Sequence, residues 1–178
     1  MRVDPLANPE PLIRRVYSYV AYRLGNGAEA EDVTSEVFER ALRYRASFDD
    51  ARGGPLPWLL GIARRCVHDE LVSRVRTEPF GEEHEPPSPE DIGLETVERV
   101  ALADAVARLD ERARDLIALR YGADLTARQI GEVTGMNTNA VEVAIHRALT
   151  RLRADLDEDA VRATQSPPLA GPASHFAE

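Results

Sequence analysis

The sequence predicts an all-α fold made of two small helical domains joined by a flexible acidic linker. Through most of the chain, apolar residues recur every three or four positions, which is the period of an amphipathic helix. No stretch alternates apolar and polar residues as a half-buried strand would. The composition changes in segment 77–91, which contains four prolines and has no helical period. The length of 178 residues suits one domain or two small ones.

Three helices are predicted before that change of composition. Apolar positions mark the first helix over residues 12–24, and the glycines of segment 25–27 separate it from the second, over residues 33–42. A loop at 48–57 ends with a proline, which suits the first turn of a third helix over residues 58–71.

The second domain begins where the helical period resumes, at residues 94–109. Asp110 can cap a shorter helix that carries apolar residues up to Tyr121. Beyond Leu156 the sequence is rich in Pro, Ala and Ser, which predicts a disordered tail. The predicted boundaries are 1–77 for the first domain, 78–98 for the linker, 99–156 for the second domain and 157–178 for the tail.

A helix-turn-helix is predicted within the second domain. Thr126 and Gln129 have the spacing of a capping box at the start of a short helix. Gly135 supplies the sharp turn, and Asn137 can cap the next helix, whose inward stripe lies within residues 141–152. Proteins with this motif place the second helix in the major groove of DNA. A helical hairpin that only packs is the alternative.

The second helix of the motif would face DNA through its N-terminal half. Outward residues at such positions meet base edges, and the later arginines suit phosphate contacts. The outward residues are Thr138, Asn139, Glu142, Val143 and His146, followed by Arg147, Arg151 and Arg153.

The net charge of −9 does not exclude DNA binding, because the acidic residues are unevenly placed. All 22 cations are arginine, against 31 acidic residues. Residues 78–98 carry −8 and residues 157–178 carry −3, whereas residues 1–77 and 99–156 carry +1 each. Since charges are screened over roughly 8–10 Å at working salt, either domain can have a local basic face.

The sequence carries no signal for secretion, membrane insertion or catalysis. It has no basic-then-apolar leader and no run of about 18 apolar residues, so we expect a soluble cytoplasmic protein. Its one cysteine, Cys66, excludes an internal disulfide and is interpreted as a core residue. Cys66 and His68 are too few for zinc, and no nucleophile arrangement accompanies the four histidines. We therefore expect no catalytic residue, metal or cofactor.

The two domains together resemble the extracytoplasmic-function (ECF) sigma factors of bacterial RNA polymerase. AEDVTSEVFERALRY resembles the polymerase-clamp-binding helix of sigma region 2, and FDDARGGPLPWLLGIARRCVHDELVSRVR resembles its promoter-melting loop and helix. ARLDERARDLIALRYGADL and LTARQIGEVTGMNTNAVEVAIHRALTRLR resemble region 4 with its helix-turn-helix. The resemblance covers residues 10–76 and 97–154, and it implies a sigma factor that binds core RNA polymerase and promoter DNA.

The resemblance assigns a polymerase contact to the second helix of the first domain. A sigma factor docks on the beta-prime clamp and on the beta flap of the polymerase, and polar residues of this helix can pair with the clamp. An ordinary solvated helix face is the alternative, and the family usually has Gln where Ser35 stands. The candidate polymerase-binding residues are Asp32, Ser35, Glu36 and Glu39.

The resemblance also implies that the first domain recognises the minus-ten promoter element. Its third helix could hold the phosphates of a melted strand, and the loop at 48–54 could enclose a flipped base. Trp58 is either a stacking platform or a core residue. The family often has Asn at Arg65 and Arg near Val72, so the basic run is diluted here. The candidate minus-ten residues are Asp49, Asp50, Arg52, Trp58, Arg64, Arg65, His68 and Arg76.

For the minus-thirty-five element, the resemblance points to the helix-turn-helix. The family commonly has a cation where Glu142 stands. Glutamate can accept a hydrogen bond from cytosine N4, so Glu142 either reads a base, faces solvent or pairs with His146. The candidate minus-thirty-five residues are Thr138, Asn139, Glu142, Val143, His146, Arg147 and Arg151.

Several alternatives stay open from the sequence. The chain could be a free-standing helix-turn-helix regulator with a sensing N-terminal block, or a polymerase-binding module that cannot melt DNA. The resemblance implies that the linker runs through the template-strand and RNA-exit path of the polymerase. There the acidic linker either imitates RNA or is a solvated charge run. An anti-sigma factor is a further partner whose existence the sequence does not decide.

Overall fold

The chain is helical in the computed structural model, which describes residues 4–77 and 94–165 and contains no strand within them. The predicted linker up to residue 93 and the end of the chain after residue 165 lie outside the described residues. Short 3₁₀ turns at Arg45–Ser47 and Asp50–Arg52 precede α3, and a π-helical turn at Ala118–Gly122 follows α5. The helices are α1 Pro9–Leu24, α2 Ala28–Tyr44, α3 Pro55–Thr77, α4 Leu94–Ala107, α5 Glu111–Ile117, α6 Ala127–Thr134 and α7 Thr138–Gln165.

The first domain is a bundle of α1, α2 and α3, as predicted. Gly25 and Gly27 have φ angles of +91° and +129°, which favour glycine and allow the chain to reverse between α1 and α2. Burying a valine or leucine side chain contributes roughly 1.5–3 kcal/mol. The buried side chains of this bundle include Val16, Val20, Val37, Leu59, Leu60 and Val67, together with Cys66, whose interpretation as a core residue is confirmed.

The helices α5 and α6 of the second domain start at the predicted N-caps. The Asp110 side chain accepts a hydrogen bond from the Ala113 amide at 2.8 Å at the start of α5. At the start of α6, Thr126 and Gln129 form a reciprocal capping box. Each such cap satisfies amides that have no partner inside the helix, at about 1 kcal/mol per cap.

Two predicted boundaries are wrong by several residues. α4 already begins at Leu94, inside the predicted linker, and α7 continues to Gln165, so residues 157–165 are helical instead of a disordered tail. Arg108, directly after α4, explains the longer α7, because it lies 3.6 Å from Asp155 and 2.6 Å from Asp159. These carboxylates are four residues apart on one helix face, and the pairing draws the end of α7 against α4.

The two predicted domains are packed directly against each other, and their buried residues form one continuous core. α1 packs on the π-helical turn, while α3 packs on α6. The backbones come close at Gly122, where a Cβ atom would lie 3.0 Å from the Ser18 carbonyl oxygen. Arg15 adds hydrogen bonds from α1 to the carbonyls of Ala123 and Asp124, at 2.8 and 2.6 Å. The periodicity of either domain alone does not predict this contact.

Gly131 of α6 should be irreplaceable, in contrast to Gly61 of α3. A Cβ atom at Gly131 would lie 2.6 Å from the carbonyl oxygen of Met136, which belongs to the backbone of the helix-turn-helix. We expect Gly131→Ala to destabilise the protein by roughly 1–3 kcal/mol through overpacking. Thermal unfolding followed by circular dichroism measures the change.

Gly61→Ala is the matched control, since a Cβ atom there meets nothing within 4 Å. Alanine should stabilise this helical position by roughly 0.5–1 kcal/mol. Equal shifts of the melting temperature in the two variants would contradict a tight turn at Gly131.

Candidate nucleic-acid and polymerase interfaces

The N-terminal half of α7 presents a polar, exposed surface. Asn137 caps the helix by accepting a hydrogen bond from the Ala140 amide at 2.8 Å. Gly135, with φ of +75°, provides the left-handed turn between α6 and α7. Val141 and Ile145 are buried against the rest of the domain, which directs the opposite face outward. The exposed residues are Thr138, Asn139, Glu142, Val143 and His146, as predicted.

The arginines that follow differ in their freedom to bind phosphate. Arg147 is exposed at the rim of a groove between α5 and α7. Arg151 is also exposed, but it lies 3.4 Å from Asp155 one turn later. Glu142 does not pair with His146 in this conformation, because the described side chains of these two residues form no ion pair. Glu142 therefore faces solvent, where a base edge could meet it.

Besides Trp58, α3 carries four of the predicted minus-ten residues, and these four lie on two sides of the helix. Arg65, His68 and Arg76 are exposed, together with Val72, on one outward face. Arg64 lies on another side and is half-buried, since its Nε donates to Asp115 at 2.8 Å. Three of the four side chains are therefore available to a DNA strand in this conformation.

The loop between α2 and α3 is ordered by its own residues. Asp49 accepts a hydrogen bond from the Ala51 amide at 3.1 Å and lies 3.6 Å from Arg52, while Asp50 is exposed. Trp58 is half-buried, and its ring meets that of Phe48 edge to face at a centroid distance of 5.5 Å. Trp58 thus packs partly against the core, and its role as a stacking platform stays a prediction.

α2 leaves three of its four candidate polymerase-binding residues exposed: Asp32, Ser35 and Glu39. The fourth, Glu36, is half-buried and accepts a hydrogen bond from Arg40 at 2.6 Å. Arg40 in turn reaches Asp69 of α3 at 3.2 Å. Glu36 thus connects the helices of the first domain, and its carboxylate is less free for a partner than those of Asp32 and Glu39.

Sequence reasoning missed a buried polar network between the domains. Asp115, only 8% exposed, accepts hydrogen bonds from the Tyr19 hydroxyl at 2.7 Å and from Arg64. Arg23 lies 3.5 Å from the same carboxylate and also pairs with Glu111. A single acidic residue at the head of the apolar run DLIAL was the available signal, since a buried charge needs partners.

Cys66 and His68 point to different sides of α3, the thiol into the core and the imidazole to solvent. Burial raises the pKa of Cys66 to about 11, so the thiol stays protonated at physiological pH. No group of three potential metal ligands occurs within residues 4–77 and 94–165. No helix in the part of the chain that the structure describes is long and apolar enough to cross a membrane.

Comparison with known proteins identifies both domains. Residues 10–77 match the family model of sigma-70 region 2, and residues 99–152 match that of sigma-70 region 4. The chain belongs to the sigma-70 family. Its curated relatives are ECF RNA polymerase sigma factors.

Two relatives and one solved structure illustrate the similarity. The chain is 37% identical over 151 residues to the ECF sigma factor BldN of Streptomyces coelicolor, covering 82% of this chain and 57% of BldN. It is 29% identical to SigK of Mycobacterium ulcerans, with 80% of each covered. The structure of the sigma factor RpoE from Bartonella quintana, in complex with the anti-sigma factor NepR, has a TM-score of 0.64 at 18% identity. The alignment covers 83% of this chain and 93% of that one.

Family membership decides between two interpretations of the first domain. Region 2 accounts for residues 10–77, so the interpretation of this ECF sigma factor as a free-standing regulator with a sensing N-terminal block is wrong. The sigma-factor fold is likewise consistent with the similarity to RpoE.

Glu142 and Arg147 should contribute differently to DNA binding. We expect Arg147→Ala to weaken binding to all duplexes and to lower the salt slope by about 1, as the loss of one phosphate contact does. Glu142→Ala should change the preference at one base pair by roughly 1–3 kcal/mol if the carboxylate accepts from cytosine. Competition binding with a library of upstream promoter elements measures both.

Asp157→Ala is the control for charge, because Asp157 is exposed on the same helix, roughly 22 Å along its axis. If Glu142→Ala and Asp157→Ala strengthen binding equally to every sequence, Glu142 acts only as a repulsive charge.

Proposed function

We propose that this ECF sigma factor binds core RNA polymerase, recognises a promoter at two elements and helps to open it. Region 2 would contact the minus-ten element and region 4 the minus-thirty-five element. The polymerase performs the chemistry, so the chain itself is not an enzyme and needs no cofactor. We infer that it acts in the cytoplasm, where bacterial polymerase and chromosome are found.

The observation that carries this proposal is the presence of both sigma regions, in order, on one chain. Each region also has an exposed polar surface on the helix for which the family implies a role. In region 4 this is the capped start of α7, and in region 2 the outward face of α3 with Arg65, His68 and Arg76. A helix N-terminus with free amides additionally favours phosphate.

Binding to the polymerase would use one surface in each region. In region 2, the exposed carboxylates of Asp32 and Glu39 would pair with cations of the beta-prime clamp. In region 4, a groove of about 570 Å³ between α5 and α7 has an apolar floor that includes Leu116 and Ala144. We propose this groove for the beta flap, because apolar grooves of this kind accept amphipathic helices.

An anti-sigma factor is a further proposed partner. The similar RpoE structure contains the anti-sigma factor NepR, and a sigma factor that opens promoters needs control of its access to polymerase. A pull-down from cells with the full chain as bait tests this partner separately from promoter activity.

A polymerase-binding module without melting activity is the second candidate function. The diluted basic run of α3, with Val72 exposed at 40%, favours it. Transcription by holoenzyme reconstituted from core polymerase and the full chain separates the two candidates. Selection from a promoter library should yield run-off transcripts and a two-element consensus, whereas a non-melting module would bind polymerase and yield no transcript.

Asp32 and Glu39 should be required for binding to the polymerase. We expect the double variant Asp32→Arg/Glu39→Arg to retain its fold, since both side chains are exposed, and to lose at least about tenfold in affinity for core polymerase. Glu36 is unsuitable for this test, because its reversal would also disturb Arg40 and Asp69. Fluorescence anisotropy with labelled sigma factor measures the affinity.

Asp104→Arg supplies a charge-reversed control, as Asp104 is exposed on α4 in the other region. Parent affinity in the double variant would reject α2 as the clamp-binding helix.

A further inference from the structure

A turn at residues 4–8, directly before α1, packs beside the loop between α2 and α3. Pro5 is buried, and the Asp4 carboxylate accepts a hydrogen bond from the Leu6 amide at 3.1 Å. The same carboxylate lies 3.4 Å from Nε of Arg45, which begins the 3₁₀ turn after α2. The match to sigma region 2 starts only at residue 10, so the family model does not account for this turn.

A cavity of about 470 Å³ lies between this turn and the loop. Part of its lining is apolar and includes Leu42 and Phe48. The charged groups of the lining are two carboxylates and two guanidinium groups, so their charges cancel. Ligand sites of this size commonly combine apolar walls with a few polar groups that fix orientation. The charged residues are Asp4, Asp50, Arg43 and Arg45.

A nucleobase has the properties that this lining selects. It is flat and uncharged, and it stacks on aromatic side chains such as that of Phe48. Adenine, cytosine and guanine carry an amino group, whereas thymine has none. Both contacts of Asp4 are made by Oδ1, so Oδ2 can accept a hydrogen bond from an amino group. The cavity therefore favours a base with an amino group over thymine.

A second cavity, of about 340 Å³, lies between the end of α2 and α3, and its lining is basic. Of its three arginines, Arg40 is held by Glu36 and Asp69. The other two, Arg43 and Arg65, are exposed and form no ion pair within residues 4–77 and 94–165. Two guanidinium groups without a carboxylate partner make this cavity suitable for a phosphate group.

The two cavities are neighbours, because Arg43 lines both of them. One therefore suits a neutral aromatic base, and the other, directly beside it, suits an anion. A nucleotide joins such a base to a phosphate through a single sugar. The pair of cavities thus matches one nucleotide better than it matches a base or a phosphate alone.

We propose that the two cavities form a nucleotide site, in which the cavity beside the turn takes the base and the cavity between α2 and α3 takes the phosphate. Asp4 accepts a hydrogen bond from the amino group of the base and discriminates against thymine. Arg43 and Arg65 bind the phosphate. The nucleotide belongs either to a single strand of DNA or to a free nucleotide. The strand as its source rests on the proposed function, whereas the site rests on the two cavities.

Strand binding by the full chain tests the two halves of the site separately. The probes are labelled strands of about 12 nucleotides, one of deoxycytidine and one of thymidine, and anisotropy measures their affinity. We expect the parent to prefer the deoxycytidine strand about tenfold. Asp4→Asn should bring this ratio close to one, since an amide can also donate to a thymine carbonyl. Arg43→Gln should weaken both strands equally and lower the salt slope by about 0.7.

The emission of Trp58 locates the binding in this part of the chain. Trp58 is the one tryptophan of the sequence, and its ring contacts Phe48 of the base cavity at 5.5 Å. Its fluorescence should change as the deoxycytidine strand binds to the parent. In Asp4→Asn this change should require about tenfold more strand.

Unlabelled deoxycytidine monophosphate distinguishes the two sources of the nucleotide. If it displaces the labelled strand at about 1 mM or below, the site takes a free nucleotide. If it changes neither strand binding nor Trp58 emission at that concentration, the site takes a nucleotide of a strand.

Asp104→Asn and Arg99→Gln are the controls for a removed negative and a removed positive charge, since both residues are exposed on α4. Both should behave as the parent. Asparagine at position 4 still accepts from the Leu6 amide, so the turn should be retained, and thermal unfolding checks this. Should the turn be lost, Asp50→Asn replaces the variant, because the Asp50 side chain is exposed. Equal affinity of the parent for the two strands, or folded variants with parent affinities, would overturn the proposal.

Transcription by the reconstituted holoenzyme separates this result from the proposed function. A parent holoenzyme that initiates nowhere would refute the proposed function, while strand binding and Trp58 emission still report on the site. An active holoenzyme combined with unchanged binding by Asp4→Asn and Arg43→Gln would refute the nucleotide site alone.

Discussion

The buried carboxylate of Asp115 is the interaction on which the arrangement of the two regions depends. A carboxylate taken out of water costs several kcal/mol unless charged or polar donors replace its hydration. None of the three donors to Asp115 comes from its own region, since Tyr19 and Arg23 lie on α1 and Arg64 on α3. This carboxylate holds region 4 against region 2 together with the continuous apolar core and the close backbone contact at Gly122.

The ion pairs of Asp115 orient the two regions more than they stabilise them. The gain from pairing a buried carboxylate with arginine is largely offset by the desolvation of both groups, so the net stabilisation is small. Most of the stabilisation of this contact therefore comes from the apolar side chains that the two regions bury in one core.

Local capping hydrogen bonds define the helix starts of region 4 independently of the contacts of Asp115. The caps at Asp110, Thr126 and Asn137 define where three helices start, and Gly135 defines the turn that leads into α7. Because α7 is anchored by Val141 and Ile145 on one face, its other face is directed outward without any contact from region 2. The proposed minus-thirty-five surface is accordingly exposed, whereas Arg64 of the proposed minus-ten surface is held by Asp115.

The sequence by itself determined the helices, their caps and the outward faces of α2, α3 and α7, because these follow from periodicity and from hydrogen bonds over a few residues. It also determined the family, whose motifs lie in contiguous stretches. Only the tertiary structure decided that Arg64 binds Asp115, that Glu36 pairs with Arg40, and that α7 extends to Gln165. These depend on partners distant along the chain, such as Asp115 for Arg64 and Arg108 for the end of α7. Periodicity identifies the face on which a side chain lies, but a buried charge is paired by whichever donors the packing brings to it.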